Sequence, residues 1–376
     1  MPHIREAGLL ALLSLGMAGC QTAPTGPLTL GAMDGSTHAE AAPSEAPLAT
    51  TVVVSDPMDI AVPGPLPVVE EAPESPPVAA VTNLVNAWVS LGDWGLENGY
   101  GRPVQVGGVR NPAYELRGTN RLAAFRVGSR AASFNGCEFW LGYAPQLING
   151  LPHIHLLDVW KNLRPLPGLT PAPAPSERTV VIDPGHGGKD AGARSGFNGA
   201  WEKEYTLDWS LRLARLLLAG GWTVYLTRTN DTAVALADRV GLAERAKSGL
   251  FLSLHFNSGL PNRDLAGIET YCLTPPGMPS SLVRSYEDDP RQVYPNNTFD
   301  DQNFQVAFAL HRTLLQHTGA TDRGVRRARF MSVLRAQNRP AVLIEGGYLT
   351  NPQEARRIAS PEYRQKLAEA VAKGLE

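Results

Sequence analysis

The sequence predicts an α/β protein: a three-layer domain with a mostly parallel, twisted sheet flanked by helices, preceded by a small β-rich domain and a disordered tether. Three observations support this. From residue 179 onward, apolar strands alternate with helical patterns, which is typical of βαβ units. Residues 81–166 hold short strand-like segments separated by Gly and Asn turns. Residues 20–80 are dominated by Pro, Ala and small polar residues.

The first twenty residues have the pattern of an export signal. Arg5 precedes an apolar run, Ala7 to Met17, which is too short to cross a bilayer. Small residues then lead directly to Cys20, which resembles a bacterial lipoprotein processing site. We therefore expect a signal peptide over 1–19 and a lipid anchor on Cys20. An ordinary secretory signal with an incidental cysteine is the alternative.

Residues 20–80 are predicted to be a disordered tether. Positions 21–80 contain eleven Pro, eleven Ala and eight acidic residues but no Lys or Arg, and such a segment cannot bury enough apolar surface to fold. Residue 21 is Gln rather than Asp, which favours an outer-membrane location facing the periplasm, within the cell envelope.

The rest of the chain, 81–376, carries 33 basic and 27 acidic side chains. A mildly cationic body is compatible with an anionic polymer such as cell wall, although solvated surface charge is the commoner explanation. We expect no nucleic-acid partner.

The segment 81–166 is predicted to be a small β-rich accessory domain. Leu122–Val127 and Glu138–Leu141 have strand-like composition. Residues 131–166 loosely resemble the small module named after the N-terminal domain of copper amine oxidases, and no copper is inferred from this. A Pro-rich linker over 167–177 follows. Apart from Cys20, the cysteines fall in different predicted domains, so buried thiols are expected.

The predicted α/β domain spans 178–376, and its elements follow from apolar periodicity and from Gly and Pro boundaries. Residues 274–302, rich in Pro, Asn and Asp, form a long insertion, and a loop of this length in a compact domain is usually functional or disordered. The predicted strands are Thr179–Ile182, Trp222–Thr227, Leu250–Phe256, Gly267–Leu273 and Pro340–Tyr348, and the predicted helices are Tyr205–Ala219, Val234–Lys247, Asn303–Thr318 and Glu362–Leu375.

Glu345 is the most informative residue, because it lies inside the apolar strand Pro340–Tyr348. A buried carboxylate without a partner costs several kcal/mol or gives up its charge. Two histidines lie in comparable positions: His186 follows an apolar strand, and His255 ends another. Ligands of open α/β sheets bind at the carboxyl ends of strands. Two histidines and carboxylates there are the ligand chemistry of a catalytic zinc.

These residues belong to an ordered set of motifs. Asp183 to Ala193, Glu202-Lys203, Ser253 to Asn257 and Pro340 to Asn351 together resemble the zinc-dependent N-acetylmuramoyl-L-alanine amidases of the cell-division and spore-cortex type. The resemblance covers about 175–376, so it implies that the domain over 178–376 is catalytic. It also places the insertion 274–302 where some members of the family carry a segment that blocks the zinc site until an activator protein binds. A loop that shapes the substrate site is the simpler interpretation.

The resemblance implies that His186, Glu202 and His255 bind Zn²⁺, with a fourth position left for water, and that Glu345 is the catalytic proton carrier. The implied reaction cleaves the peptidoglycan amide between the lactyl group of N-acetylmuramic acid and L-alanine. The alternatives are another zinc cell-wall peptidase, such as a carboxypeptidase, or a non-catalytic wall-binding lipoprotein.

Three assignments stay open at this point. Glu204 lies two residues after Glu202 and is the alternative carboxylate at the same helix start. Asp183 either accepts a hydrogen bond from His186 or only forms the turn. The basic cluster Arg323–Arg329 either meets wall carboxylates or is a solvated strand edge.

Overall fold

The computed structural model describes residues 87–108, 112–166, 178–283 and 288–376. The predicted signal peptide, Cys20, the tether over 20–80 and the linker over 167–177 lie outside the described residues. Within the described ranges, no helix has both the length and the apolar character needed to cross a membrane.

Most strands belong to one large sheet. The strands are β1 (Trp88–Ser90), β2 (Val104–Gln105), β3 (Ala113–Gly118), β4 (Arg121–Arg126), β5 (Ala131–Phe134), β6 (Cys137–Trp140), β7 (Gln146–Ile148), β8 (Leu151–His155), β9 (Thr179–Pro184), β10 (Thr223–Leu226), β11 (Leu250–Asn257), β12 (Ile268–Cys272), β13 (Asp322–Arg327) and β14 (Ala341–Tyr348). The eleven strands of the large sheet run in the order β10-β9-β11-β14-β12-β13-β6-β5-β4-β3-β2, and a small separate sheet has the order β1-β8-β7.

Helices cover both faces of the sheet in the predicted catalytic segment. They are α1 (Leu91–Glu97), α2 (Leu156–Asp158), α3 (Glu202–Ala219), α4 (Leu236–Arg245), α5 (Asp300–Thr318), α6 (Ser332–Arg335), α7 (Pro352–Ala359) and α8 (Pro361–Gly374). A π-helical turn, Val159–Leu163, continues α2, and a 3₁₀ turn, Pro295–Phe299, precedes α5.

The core has two layers because the strands alternate their apolar residues between faces. Ile182, Leu254 and Ile344 face one side, where they form a cluster with residues of α3, α5 and α8. Phe251 and Leu343 face the other side with residues of α4 and α6. The predicted three-layer α/β fold is confirmed.

The register places the carboxyl ends of β9, β11 and β14 side by side. These strands are parallel, and Leu254 pairs with Pro184 while His255 pairs with Glu345. The next strand, β12, is antiparallel to β14, so Glu269 lies directly opposite Glu345. At the edge of the sheet that holds the predicted site, the carboxyl ends of β9, β11 and β14 therefore lie beside the amino-terminal part of β12.

Helix α3 begins at Glu202, three residues before the predicted start, and its C-cap is Gly220. The earlier start places Glu202 in the first helical turn.

The predicted accessory segment and the predicted catalytic segment share the large sheet. The connection between them is the parallel pairing of β6 with β13 at Phe139 and Val325. Phe139 also packs edge-to-face against Phe304 and Phe308 of α5. The domain bounds remain a prediction. The structure adds that strands from both segments belong to one continuous sheet.

Candidate active site

His186 follows β9 in a tight glycine-containing turn. Its backbone φ is 62°, in the left-handed region that non-glycine residues rarely adopt. Its Nδ1 atom lies 2.8 Å from Oδ1 of Asp190, so this carboxylate orients the ring and leaves Nε2 for another partner. Asp183 has different partners: Arg239 at 2.5 Å and Ser253 at 2.8 Å. The expectation that Asp183 accepts a hydrogen bond from His186 is therefore wrong, because Asp190 is the carboxylate that contacts Nδ1 of His186.

Glu202 brings the two imidazoles together. It is buried, and its two oxygens accept hydrogen bonds from the backbone N–H groups of Ala193, at 2.8 Å, and Phe256, at 3.0 Å. The same two oxygens lie 3.1 Å from Nε2 of His186 and 3.0 Å from Nδ1 of His255. Glu204, the alternative carboxylate, is exposed and accepts a hydrogen bond from the backbone N–H of Trp201. Glu202 is therefore the carboxylate that faces the imidazoles.

Two glycines permit this close packing. A Cβ atom on Gly185 would lie 2.3 Å from the His255 ring, and one on Gly192 would lie 2.6 Å from Oε2 of Glu202. The rings of His186 and His255 meet edge-on with centroids 4.9 Å apart. Any side chain at either glycine would displace one member of the trio.

The trio fits a metal ion. One ligand atom each from His186, Glu202 and His255 lies within 4.8 Å of the others. Zinc binds imidazole nitrogen and carboxylate oxygen at about 2.0–2.2 Å, so two of its ligands stand no more than about 4.4 Å apart. The observed separations of 3.1 Å and 3.0 Å are compatible with that spacing. His186 is also oriented by Asp190, as a carboxylate commonly orients a metal-binding histidine.

The charges of the trio are coupled. Burial lowers the pKa of His186, but the charge of Glu202 and the hydrogen bond to Asp190 outweigh it and raise the pKa to about 10. Burial raises the pKa of Glu202, but the two histidines outweigh it and lower the pKa. The buried carboxylate therefore stays ionised, and it needs a proton or a cation between the imidazoles to balance it.

Glu345 lies beside this trio on the neighbouring strand, directly opposite His255. Its Oε2 atom is buried and has no hydrogen-bond partner among the residues that the structure describes. Burial, followed by repulsion from Glu202 and from Glu269, raises the pKa of Glu345 well above the ordinary carboxyl value. The structure thus brings together all four residues that the sequence predicts for the site.

Several supporting residues were not predicted. Asp190 follows His186 by four residues, and this spacing could have suggested it. Arg228 is buried behind the turn, where it donates to the carbonyls of Pro184 and Gly185 at 3.0 and 2.8 Å. Glu269 is buried beside Glu345, and only its position in an apolar strand could have indicated it.

Comparison with known proteins assigns the family. The family model described as N-acetylmuramoyl-L-alanine amidase matches residues 180–376. This chain belongs to the N-acetylmuramoyl-L-alanine amidase family. The amidase is 33% identical over 221 residues to the N-acetylmuramoyl-L-alanine amidase AmiA of Salmonella typhimurium, covering 53% of this chain and 75% of that relative.

Other relatives bear related names. The amidase is 34% identical over 200 residues to the N-acetylmuramoyl-L-alanine amidase LytC of Bacillus subtilis, covering 52% of this chain and 34% of that relative. Among solved structures, AmiC2 of Nostoc punctiforme has 36% identity and a TM-score of 0.44, with 52% of this chain and 94% of that chain covered.

The family gives the class of reaction. Its members are amide hydrolases of peptidoglycan, so this chain is an enzyme that acts on the cell wall. All four predicted site residues lie inside the matched range 180–376.

Proposed function

We propose that this amidase uses a zinc ion held by His186, Glu202 and His255, with Glu345 as its proton carrier. The bond cleaved is the amide between the lactyl group of N-acetylmuramic acid and the L-alanine of the stem peptide. One observation supports this most directly. Three suitable donor atoms converge within 4.8 Å, and the neighbouring strand places a carboxylate oxygen without a partner beside them.

A zinc ion bound by these residues would act as a Lewis acid that polarises the scissile carbonyl and acidifies water. Neighbouring groups of the chain hold the proposed ligands in position. Asp190 accepts the Nδ1 proton of His186 and so fixes the tautomer that presents Nε2. The backbone N–H groups of Ala193 and Phe256 hold Glu202 in one orientation.

Glu345 accepts a proton from the attacking water at its carboxylate and later donates it to the nitrogen of the leaving L-alanine. A general acid–base group is most effective when its pKa lies near the working pH. Burial and the two neighbouring carboxylates move the pKa of Glu345 upward, in that direction.

The products of hydrolysis test the proposal. Muropeptides digested by the purified full chain with zinc are separated and identified by mass spectrometry. Free stem peptides that begin with L-alanine support the proposal. Loss of a terminal D-alanine would instead identify a carboxypeptidase, and unchanged muropeptides would identify a wall-binding protein without this activity.

We also propose that Cys20 anchors the amidase to the outer membrane, facing the periplasm, so that a tether over 20–80 lets the enzyme reach the wall. The basis is the sequence pattern around Cys20. Metabolic labelling with a radioactive fatty acid tests the anchor. Labelled wild-type protein and unlabelled Cys20→Ala protein support it, and equal labelling of both contradicts it.

The insertion 274–302 is proposed to shape the substrate site rather than to block it until an activator binds. Arg130 donates to the carbonyls of Ser280 and Pro279 at 3.0 and 2.9 Å, and Tyr143 donates to the carbonyl of Gly277 at 2.7 Å. These contacts fix part of the insertion to the turns before β5 and after β6 of the accessory segment. Hydrolysis by the purified chain without any added protein supports this reading, and dependence on a second protein contradicts it.

A further inference from the structure

A basic and aromatic surface continues the site across the sheet. Residues directly opposite each other on paired strands share one face. Glu269 is opposite Glu345, and Tyr271 on the same strand is opposite Arg326 of β13. By the pairing of β13 with β6, Trp140 shares that face too. We call Arg323, Arg326 and Trp140 the arginine–tryptophan platform.

Glu269 connects the platform to the site. Its carboxylate accepts hydrogen bonds from Tyr271 at 2.8 Å and Tyr348 at 3.0 Å, and from Nε of Arg323 at 2.8 Å. Nε of Arg326 lies 3.4 Å from the same oxygen that Arg323 contacts. Two guanidinium groups therefore share one buried carboxylate, which the strand pairing places directly opposite Glu345.

The basic cluster Arg323–Arg329 divides into two kinds of residue. Arg327 and Arg329 are about 1% exposed and hold neighbouring segments, for example through the carbonyls of Leu273 and Pro275. The side chains of Arg323 and Arg326 keep 24% and 12% exposure. Only the second pair is both cationic and reachable from solvent.

Trp140 comes from the accessory segment. The guanidinium of Arg326 lies over its ring, 4.4 Å from the centroid. Its indole N–H donates to Glu138 at 3.2 Å. Gly324 allows this approach, because a Cβ there would lie 3.0 Å from the indole ring. A stacked guanidinium loses little further freedom when it binds a ligand, since the ring already orders it.

We propose that the platform binds a free carboxylate of the stem peptide, so that strand β6 of the accessory segment completes the substrate site. Arginine pairs preferentially with carboxylates through its planar fork. Strand β13 lies two strand spacings, about 10 Å, from β14, which is the span of about three extended residues. The recognised carboxylate thus lies within about three residues of the cleaved amide. This inference rests on the proposed function.

The test measures substrate preference. Two soluble muropeptides are compared, one with free stem carboxylates and one in which those carboxylates are amidated. The wild-type chain should have a lower KM for the free acid. Arg326→Gln should reduce this preference about ten- to hundred-fold, mainly through KM, because a charged hydrogen bond is lost. Arg326→Lys should restore part of it, and Trp140→Ala should lower it as well.

One further variant and one control sharpen the result. Glu138→Gln removes the negative charge beside Trp140 and Arg326, so it should increase the preference for the free acid. Arg117→Gln removes an exposed arginine of β3 whose ion pair within the described residues is with Glu115, so it should leave the preference unchanged. Thermal unfolding confirms that each variant folds.

The proposed role of the platform would be refuted if wild type and Arg326→Gln had the same preference for the free acid over the amidated muropeptide. It would also be refuted if Arg326→Gln lowered kcat and left KM unchanged. If the wild-type chain cleaves both muropeptides without preference, the platform fails while the amidase function stands. If it cleaves neither, the proposed function itself fails.

Discussion

Replacing Glu345 with glutamine separates catalysis from stability in one residue. The variant keeps the shape of the side chain and removes both its charge and its ability to carry a proton. Glu345 has a buried Oε2 without a partner, and its neighbours Glu202 and Glu269 are also acidic. Glutamine places an N–H donor among these acceptors, so activity and stability should change in opposite directions.

The magnitudes follow from the contacts. A positioned general acid–base group contributes about 10²–10⁴-fold to the rate, which equals about 2.7–5.5 kcal/mol of barrier. A buried polar atom without a partner costs about 1–3 kcal/mol, and more when it is charged. The metal-free protein should therefore gain about 1–3 kcal/mol of unfolding free energy.

The stability gain depends on pH. Because the folded protein raises the pKa of Glu345, the wild type loses stability as the pH rises from the ordinary carboxyl value towards that raised pKa. The glutamine variant has no such loss. The gain should therefore be absent at acidic pH and grow as the pH rises.

The assays are hydrolysis of muropeptides, zinc content and denaturant unfolding with a chelator present. Glu354→Gln is the matched control, because Glu354 is buried but accepts from the backbone N–H groups of Gly267 and Tyr348. Glu354→Gln should lower the free energy of unfolding, while the hydrolysis rate of the folded variant stays near that of wild type. If Glu345→Gln keeps more than a tenth of wild-type activity, or unfolds more easily than wild type at neutral pH, the reasoning is refuted.

Three further predictions concern the residues around the metal site. Asp190→Asn should weaken zinc binding about 10–100-fold by disordering His186, and competition with a chelating dye measures this. Asp183→Asn leaves Arg239 as an unpaired buried charge, so denaturant unfolding should show a loss of about 3–5 kcal/mol. Gly185→Ala should abolish zinc binding, because the added methyl group collides with the His255 ring. The zinc content of the folded variant measures this, and one zinc ion per chain would contradict the prediction.

The sequence predicted the fold class and the four site residues because those features have local signals. Near-continuous apolar runs predict strands that are buried on both faces, and apolar residues with period 3.6 predict the helices that cover them. Histidines at two strand ends, and a carboxylate in a third strand, are visible without knowing the register. The pairing of His255 with Glu345 follows once parallel strands are aligned by their buried residues.

The rest depends on long-range pairing and irregular backbone. Nothing local in β6 indicates that Phe139 meets Val325, so the shared sheet was not foreseen. The register of β12 against β13 shifts between Ile268 and Thr270. This irregularity brings Arg323 and Arg326 to the same carboxylate although they are three residues apart, which strict alternation forbids.

The balance of charge explains why Glu345, among three neighbouring carboxylates, is the one suited to carry a proton. Glu202 has two imidazoles and two backbone N–H groups as partners. Glu269 has two arginines and two tyrosine hydroxyls. Both therefore stay ionised, and their charges oppose ionisation of Glu345, whose Oε2 has no partner. A carboxylate whose neighbours are fixed anions binds a proton more readily, and it can release that proton when the leaving nitrogen needs it.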